Sequence, residues 1–330
     1  MTDFSIGNEQ DRWHHHPGAV RLNPLFDWPL RPAAVWRWYR GAWLPLTALT
    51  VCFAVAVLVY ALFLPPLEAM RTFEPGWIIR IWLINLIPQA VIAGGLHWWL
   101  YIRRGQGMRR KFDRRDLSHG NGTFTFNDQV LDNIWWTLGS AMTVATVYQC
   151  LIFWAMANGW TPVVSFASHP VWCVVWMALI PMWSGLHFYW THRLEHHPRL
   201  YKHVHAVHHR NVNIGPWSGI SNHWLENLLY FSTYFVHLIV PSHPLHLMFH
   251  CYFQQLSPVF SHSGFERVMK DEAEVAKAGD FFHQLHHRYF ECNYGTSEIP
   301  FDRWFGTFHD GSEAATSETR ARKTQMYTGR

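Results

Sequence analysis

The sequence predicts an all-α, polytopic membrane protein with about four transmembrane helices and a cytosolic helical cap carrying its histidines. Three observations predict it. Four long runs contain no acidic residue and almost no basic one. Of the 330 residues, 17% are aromatic and 15% charged, where an ordinary soluble domain carries about 25% charged residues. Of 24 histidines, seventeen fall between His187 and His287. The 20 tryptophans suit membrane–water interfaces. These proportions exclude a disordered chain, a collagen-like repeat and a disulfide-stapled secreted fold. The five cysteines (Cys52, Cys150, Cys173, Cys251 and Cys292) lack CxxC spacing and read as buried thiols.

In chain order, residues 1–41 form a polar, Trp-rich, Pro-punctuated segment without the pattern of a cleavable signal peptide. A bilayer-crossing helix needs about 20 apolar residues. Trp43 to Leu64 meets this without a charge, and Trp77 to Tyr101 follows with Arg80 near one end, where it can snorkel. Ile134 to Trp160 and Val171 to Trp190 complete a transmembrane region spanning 42–190. Pro88 and Pro181 lie inside these runs, as membrane helices tolerate. Residues 191–310 are assigned to the cap, with 225–260 as a short membrane-associated hairpin broken at Pro241 and Pro244. The charged stretch Glu266 to Asp280 is expected as an exposed helix, and the polar tail 311–330 as disordered. His14, His15 and His16 are consecutive, cannot converge on one site, and are expected to be unstructured.

Loop charges orient the chain. The loop 102–133 holds Arg103, Arg104, Arg109, Arg110, Lys111, Arg114 and Arg115, and the N-terminal segment holds Arg12, Arg21, Arg31, Arg37 and Arg40. The segments 65–76 and 159–170 hold Arg71 alone among Lys and Arg. The positive-inside rule puts the basic segments in the cytoplasm. Four spans then return the chain there near Trp190, so the histidines lie on the cytoplasmic side. The net charge of +4 is thereby a topology signal, and no nucleic-acid partner is expected.

Three histidine clusters carry the chemistry. His192 and His196 are spaced i, i+4; His205, His208 and His209 form an HxxHH unit, and His283, His286 and His287 form a second. Residues three and four apart share a helix face, so eight imidazoles from three helices suffice for two metal ions with open positions. His197 and His203 fall off these faces. One such pair is ordinarily a satisfied polar pair; three clusters on one side of a bilayer point to metal. Imidazole suits Zn, Cu, Fe and Ni alike, while the absence of clustered thiolates disfavours structural zinc and iron–sulfur sites.

These residues also resemble a known family. The stretch from Phe188 through Tyr189, Trp190 and His192 to His196 resembles the opening box of the fatty acid hydroxylase/sterol desaturase superfamily, and Leu200 to His209 its second box. His223-Trp224-Leu225-Glu226 is similar to the family's HPxE segment with Trp in place of Pro. His262-Ser263-Gly264-Phe265 resembles its HSGY segment. After His283 to His287, Asn293-Tyr294-Gly295 and Phe301 to Thr307 resemble its NYG and WDRxFGT endings. The resemblance implies a non-haem di-iron centre with O2 as co-substrate. Its ligands would be His192, His196, His205, His208, His209, His283, His286 and His287, with His262 a ninth and His223 a weaker candidate. Some members carry another histidine four residues before the HSG-type one; here that position is Pro258. Glu226 and Asp302 are the acids expected to orient ligand rings, which ordinarily donate their second N–H to a carboxylate or carbonyl. Glu195 is placed evenly between that role and a solvated helix face.

The expected reaction is O2-dependent hydroxylation of a fatty acyl chain or sterol-like membrane lipid. No dinucleotide fingerprint, haem domain or CxxC cluster is present, so electrons would come from a separate ferredoxin or cytochrome b5 system. A bacterial inner membrane is favoured over the endoplasmic reticulum. Desaturation at the same centre is the alternative, since it differs only in substrate placement. A metal transporter predicts ionisable ligands inside the spans, which these spans largely lack. A zinc hydrolase would retain zinc with activity.

Overall fold

A computed structural model describes residues 13–44 and 46–328. Arg12 and the start of the N-terminal segment lie outside the described residues. Helix α1, Pro32–Trp43, leads at a 52° bend into α2, Ala48–Leu62. The first expected span is therefore not one straight helix: Thr47 opens α2 afresh with a capping box, its hydroxyl accepting from Thr50 N–H at 3.3 Å. α1 carries Arg37 and Arg40 beside an outward Trp36, 66% exposed, the pattern of an interfacial helix.

Three helices are long and apolar enough to cross a bilayer: α3 (Pro75–Ile102), α4 (Gln129–Ala157) and α5 (Pro170–Glu195); α1 with α2 makes a fourth if the bent pair is one span. The chain is a multi-pass membrane protein. Side chains such as Val91 and Val171, 66% and 76% exposed, face outward as lipid-facing residues do. Between the spans, Asn85 donates to Thr146 Oγ1 (3.0 Å) and Gln149 Oε1 (2.8 Å), so buried amides tie α3 to α4 where lipid offers no hydrophobic drive.

After α5 a helical stretch, α6, covers residues 198–209 and includes a π-helical turn at Tyr201–His205. Then come α7 (Trp224–Phe231) and α8 (Pro244–Ser261). This hairpin is no shallow flap. Trp172 Nε1 donates to Pro241 O (2.7 Å), and Ser242 N–H donates to Pro162 O (3.0 Å) at the end of the bundle opposite the cap. α8 returns against α2 and α5, almost wholly buried. Gly219 lets the preceding turn touch this helix, for a Cβ there would lie 2.5 Å from the Pro258 carbonyl.

Three local expectations are corrected in the cap. Glu266 to Asp280 forms no helix: β1 (Arg267–Lys270) pairs antiparallel with β2 (Ala273–Lys277), Arg267 opposite Lys277, the only sheet among the described residues. Buried Gln106 sets this hairpin, accepting from Met269 N–H (2.8 Å) and donating to Arg267 O (2.9 Å). Beyond α9 (Phe281–Tyr289), the tail expected to be disordered forms α10, Glu313–Thr328. Aromatic and cationic contacts hold it where aliphatics are missing: Arg320 lies over Tyr289, Lys323 over Phe290, and His309 reaches Thr316. The run His14 to His16 is likewise ordered, with His14 N–H on Phe112 O and His15 2.7 Å from Glu266.

Candidate metal centre

α5, α6, α8 and α9 end or turn at the cap-side mouth of the bundle, and each delivers histidines to one buried point. The donor nitrogens fall into two adjoining groups: His192, His196, His205, His209 and His286, then His208, His262, His283 and His287. The sorting follows helix geometry. In each HxxHH unit the i, i+4 pair enters one group and the i+3 ring the other. The second and third boxes exchange single members, His208 and His286, and so interlock. The sequence reading placed all three rings of a unit on one face without this division. His262, the C-cap of α8, joins the four-membered group. His223 does not join either: it caps α7, accepting from Leu225 N–H at 3.3 Å. His197 and His203 are exposed.

Within the groups the Nε2 atoms crowd together. His192 and His205 lie 3.1 Å apart, as do His196 and His209, and His286 is 3.0 Å from His209. His262, His283 and His287 form a triangle with all sides 3.1 Å. Imidazole nitrogens about 2.1 Å from a common ion lie about 3 Å apart when at right angles. The tautomers agree. His192 Nδ1 donates to Tyr294 O (2.6 Å), His286 Nδ1 to Cys292 O (2.6 Å) and His262 Nδ1 to Pro258 O (2.9 Å). A carbonyl only accepts, so each neutral ring turns an unprotonated Nε2 inward. Burial, reinforced by neighbouring imidazoles, holds His196, His208, His209, His262, His283, His286 and His287 well below the usual histidine range; burial alone lowers His205 to about 3. Neutral rings with converging lone pairs fit metal ions, and repel one another's protons otherwise.

The acids stand behind the rings. Glu226 Oε1 is 3.0 Å from His205 Nδ1, with Glu195 Oε2 3.8 Å from the same nitrogen. Glu195 is buried, which excludes the solvated helix face. Burial raises the Glu226 carboxyl well above the usual range. Asp302 touches no histidine of the centre through these bonds. It accepts from Tyr294 N–H (2.9 Å), Gly295 N–H (2.8 Å) and the Thr307 hydroxyl (2.6 Å), and so fixes the turn whose carbonyl receives His192. At Gly295 a Cβ would lie 3.1 Å from both Asp302 Oδ2 and Tyr189. The orienting carbonyls of Cys292, Tyr294 and Pro258 escaped the sequence reading, because backbone acceptors leave no residue-type signal.

A cavity of about 430 Å3 opens on the centre. It follows one face of α5 from Pro181 past Ser184 and Phe188 to Glu195, and meets the α1–α2 junction at Ala42 and Leu49. His192, His205, His208, His262 and His283 reach its wall. Its size and apolar lining suit a small lipid.

Residues 177–307 match the family model described as fatty acid hydroxylase. This stretch holds every histidine of both groups. The histidine-bearing region is thus similar to the fatty acid hydroxylase/sterol desaturase superfamily. Among curated proteins it is similar to a Delta(7)-sterol 5(6)-desaturase of Gibberella zeae, 32% identical over 41% of this chain and 42% of the relative. A Delta(7)-sterol 5(6)-desaturase of Aspergillus fumigatus is 30% identical over 44% and 51%. Methylsterol monooxygenase 1 of Gallus gallus is 33% identical over 36% and 41%. The chain thus spans about half or less of the length of these relatives, which are sterol desaturases and a methylsterol monooxygenase by name. No solved structure matches.

Proposed function

We propose that this protein oxidises a membrane lipid with O2 at a non-haem di-iron centre, using electrons from a separate ferredoxin or cytochrome b5 system. The observation that carries the reading is two adjoining all-imidazole groups opening on an apolar cavity inside a membrane bundle. His192, His196, His205, His209 and His286 would hold one iron, and His208, His262, His283 and His287 the other. When bound, the pair supplies reductive activation of dioxygen toward an unactivated C–H bond. The chain's own part is to place the lipid and keep water out. Phe188 and Tyr230 line the cavity beside the histidines and restrict how a chain or ring can approach. Glu226 stands 3.0 Å from the outer nitrogen of the His205 ring and, through Asp302, the Tyr294 carbonyl holds His192.

The substrate is a fatty acyl chain or a sterol-like lipid; the names of the relatives favour the sterol type. Hydroxylation is the principal outcome. Desaturation is the second reading, favoured by the desaturase names of two of the relatives, and both outcomes fit one cavity. The centre lies on the cytoplasmic side, because the basic loop 102–133 and the centre share one end of the bundle, and a bacterial inner membrane is favoured over the endoplasmic reticulum. Lipid mass spectrometry of membranes expressing the wild type or His208→Ala tests the reading. A lipid gaining one oxygen only with the wild type is expected; one losing two hydrogens selects desaturation. Equal lipid profiles in a host supplied with Δ7-sterol and the electron donor overturn it.

A further inference from the structure

A second set of histidines, none of them in the metal-binding groups, lies in the interior of the bundle. His237, in the 3-10 turn Ser232–Leu238, and His250, in the middle of α8, are both fully buried. They form one continuous chain of polar contacts. Ser242 Oγ is 2.7 Å from His237 Nδ1, and His237 Nε2 is 3.0 Å from His250 Nδ1. His250 Nε2 is 3.1 Å from Ser184 Oγ and 3.2 Å from Thr233 Oγ1. Two further imidazoles flank the chain without joining it: His187 meets Ser232 Oγ (2.9 Å), and His246 meets Cys173 O (2.8 Å).

The two ends of this chain differ. Ser242, itself fully buried, sits at the end of the bundle remote from the metal-binding groups, under the 159–169 loop, where its N–H donates to Pro162 O and its hydroxyl accepts from Trp176 Nε1 (3.1 Å) and reaches Val240 O (2.9 Å). Ser184 lines the cavity that opens on those groups. We propose that Ser242, His237, His250 and Ser184 form a proton relay that feeds the catalytic cavity from the opposite side of the membrane. This rests on the oxygenase reading.

The bonding pattern allows a relay as well as a polar pin. A hydroxyl both donates and accepts, and a neutral imidazole does one at each nitrogen. With hydroxyls at both ends and imidazoles between, two tautomer sets are open to the chain, and they differ at Ser242, whose proton points to His237 Nδ1 in one and to Val240 O in the other. In one, Ser242 donates to His237, His237 Nε2–H to His250, and His250 Nε2–H to Ser184 or Thr233. In the other every proton runs the reverse way. A pin requires one set; a relay requires both. Ionisable side chains kept inside a membrane bundle are costly and typically mark proton paths.

The balance closes for either outcome. Hydroxylation takes a C–H bond, O2, two electrons and two protons to an alcohol and water; desaturation takes the same electrons and protons to an alkene and two waters. A reduced one-electron carrier supplies the electrons at the cap. Each proton taken up at Ser242 enters at His237 Nδ1, while the Nε2 proton moves to His250 Nδ1. The His250 Nε2 proton then passes to Ser184 Oγ, which releases its own into the cavity.

The test uses closed vesicles of phosphatidylcholine doped with a Δ7-sterol, with the full chain inserted cap outward and a pH-sensitive dye inside. Reduced carrier and O2 are supplied outside. The lumen is expected to alkalinise in step with oxidised sterol. In His250→Gln, whose amide keeps hydrogen bonds but does not relay protons, that alkalinisation is lost and product forms more slowly. Constant lumenal pH while wild-type product accumulates overturns the relay. Absence of wild-type product overturns the oxygenase reading instead, and the relay with it.

Discussion

His205 has close neighbours at both ends of its ring: Nε2 lies 3.1 Å from His192, and Nδ1 lies 3.0 Å from Glu226. A carboxyl oxygen that accepts the proton at that outer nitrogen fixes the tautomer and leaves the inner nitrogen free to bind a metal. Glu226→Gln is therefore expected to weaken metal retention or turnover by about 10–100-fold, read as metal per chain after dialysis, with no loss of membrane insertion. His223→Ala, three residues away, removes only a cap on α7 and should leave metal content unchanged. Equal metal loss in the two variants would contradict the assignment. The ligand residues were legible because histidines at three- and four-residue spacing have few other uses. Their division was not, since it depends on how α6 and α9 face each other. Glu195 was undecidable from sequence, because burial of its helix face is a tertiary fact.

At the scale of elements, the cap departs most from the sequence reading. Glu266 to Asp280 is charged enough to suggest an exposed helix. Yet Gln106, over 150 residues earlier in the chain, bonds the backbone at Arg267 and Met269 and turns the stretch into a hairpin. Gln106→Ala leaves buried backbone groups without partners and should cost about 1–3 kcal/mol, measured by thermal unfolding. Helix α10 was equally hidden, for its anchors lie on other elements. One is His309, lowered to about 4 by burial, with its Nε2 3.1 Å from Thr316. An unfolded histidine takes up its proton near pH 6.5, the folded one only near 4. Between these values the unfolded form binds more protons, so this stabilisation is complete above about 6.5 and declines as pH falls toward 4. Protection against hydrogen exchange in 313–325, relative to the intrinsic rate at each pH, should therefore be lower at pH 5 than at pH 7, and His309→Gln should flatten that dependence. Equal protection at both pH values in the wild type would count against it. The spans, by contrast, were plain from uncharged length alone, apart from the break before Thr47.

At the scale of the whole molecule, a lipid-facing bundle closes around a cavity, and four helices bring nine imidazoles to its cap-side end. The two groups share helices but not ligands, so each can lose its ion separately. Iron per chain, quantified in purified protein together with a Mössbauer spectrum, tests this most directly. The account predicts two irons per chain, with His196→Ala and His262→Ala each lowering occupancy of a different group. A single iron, or zinc retained with full activity, would contradict it.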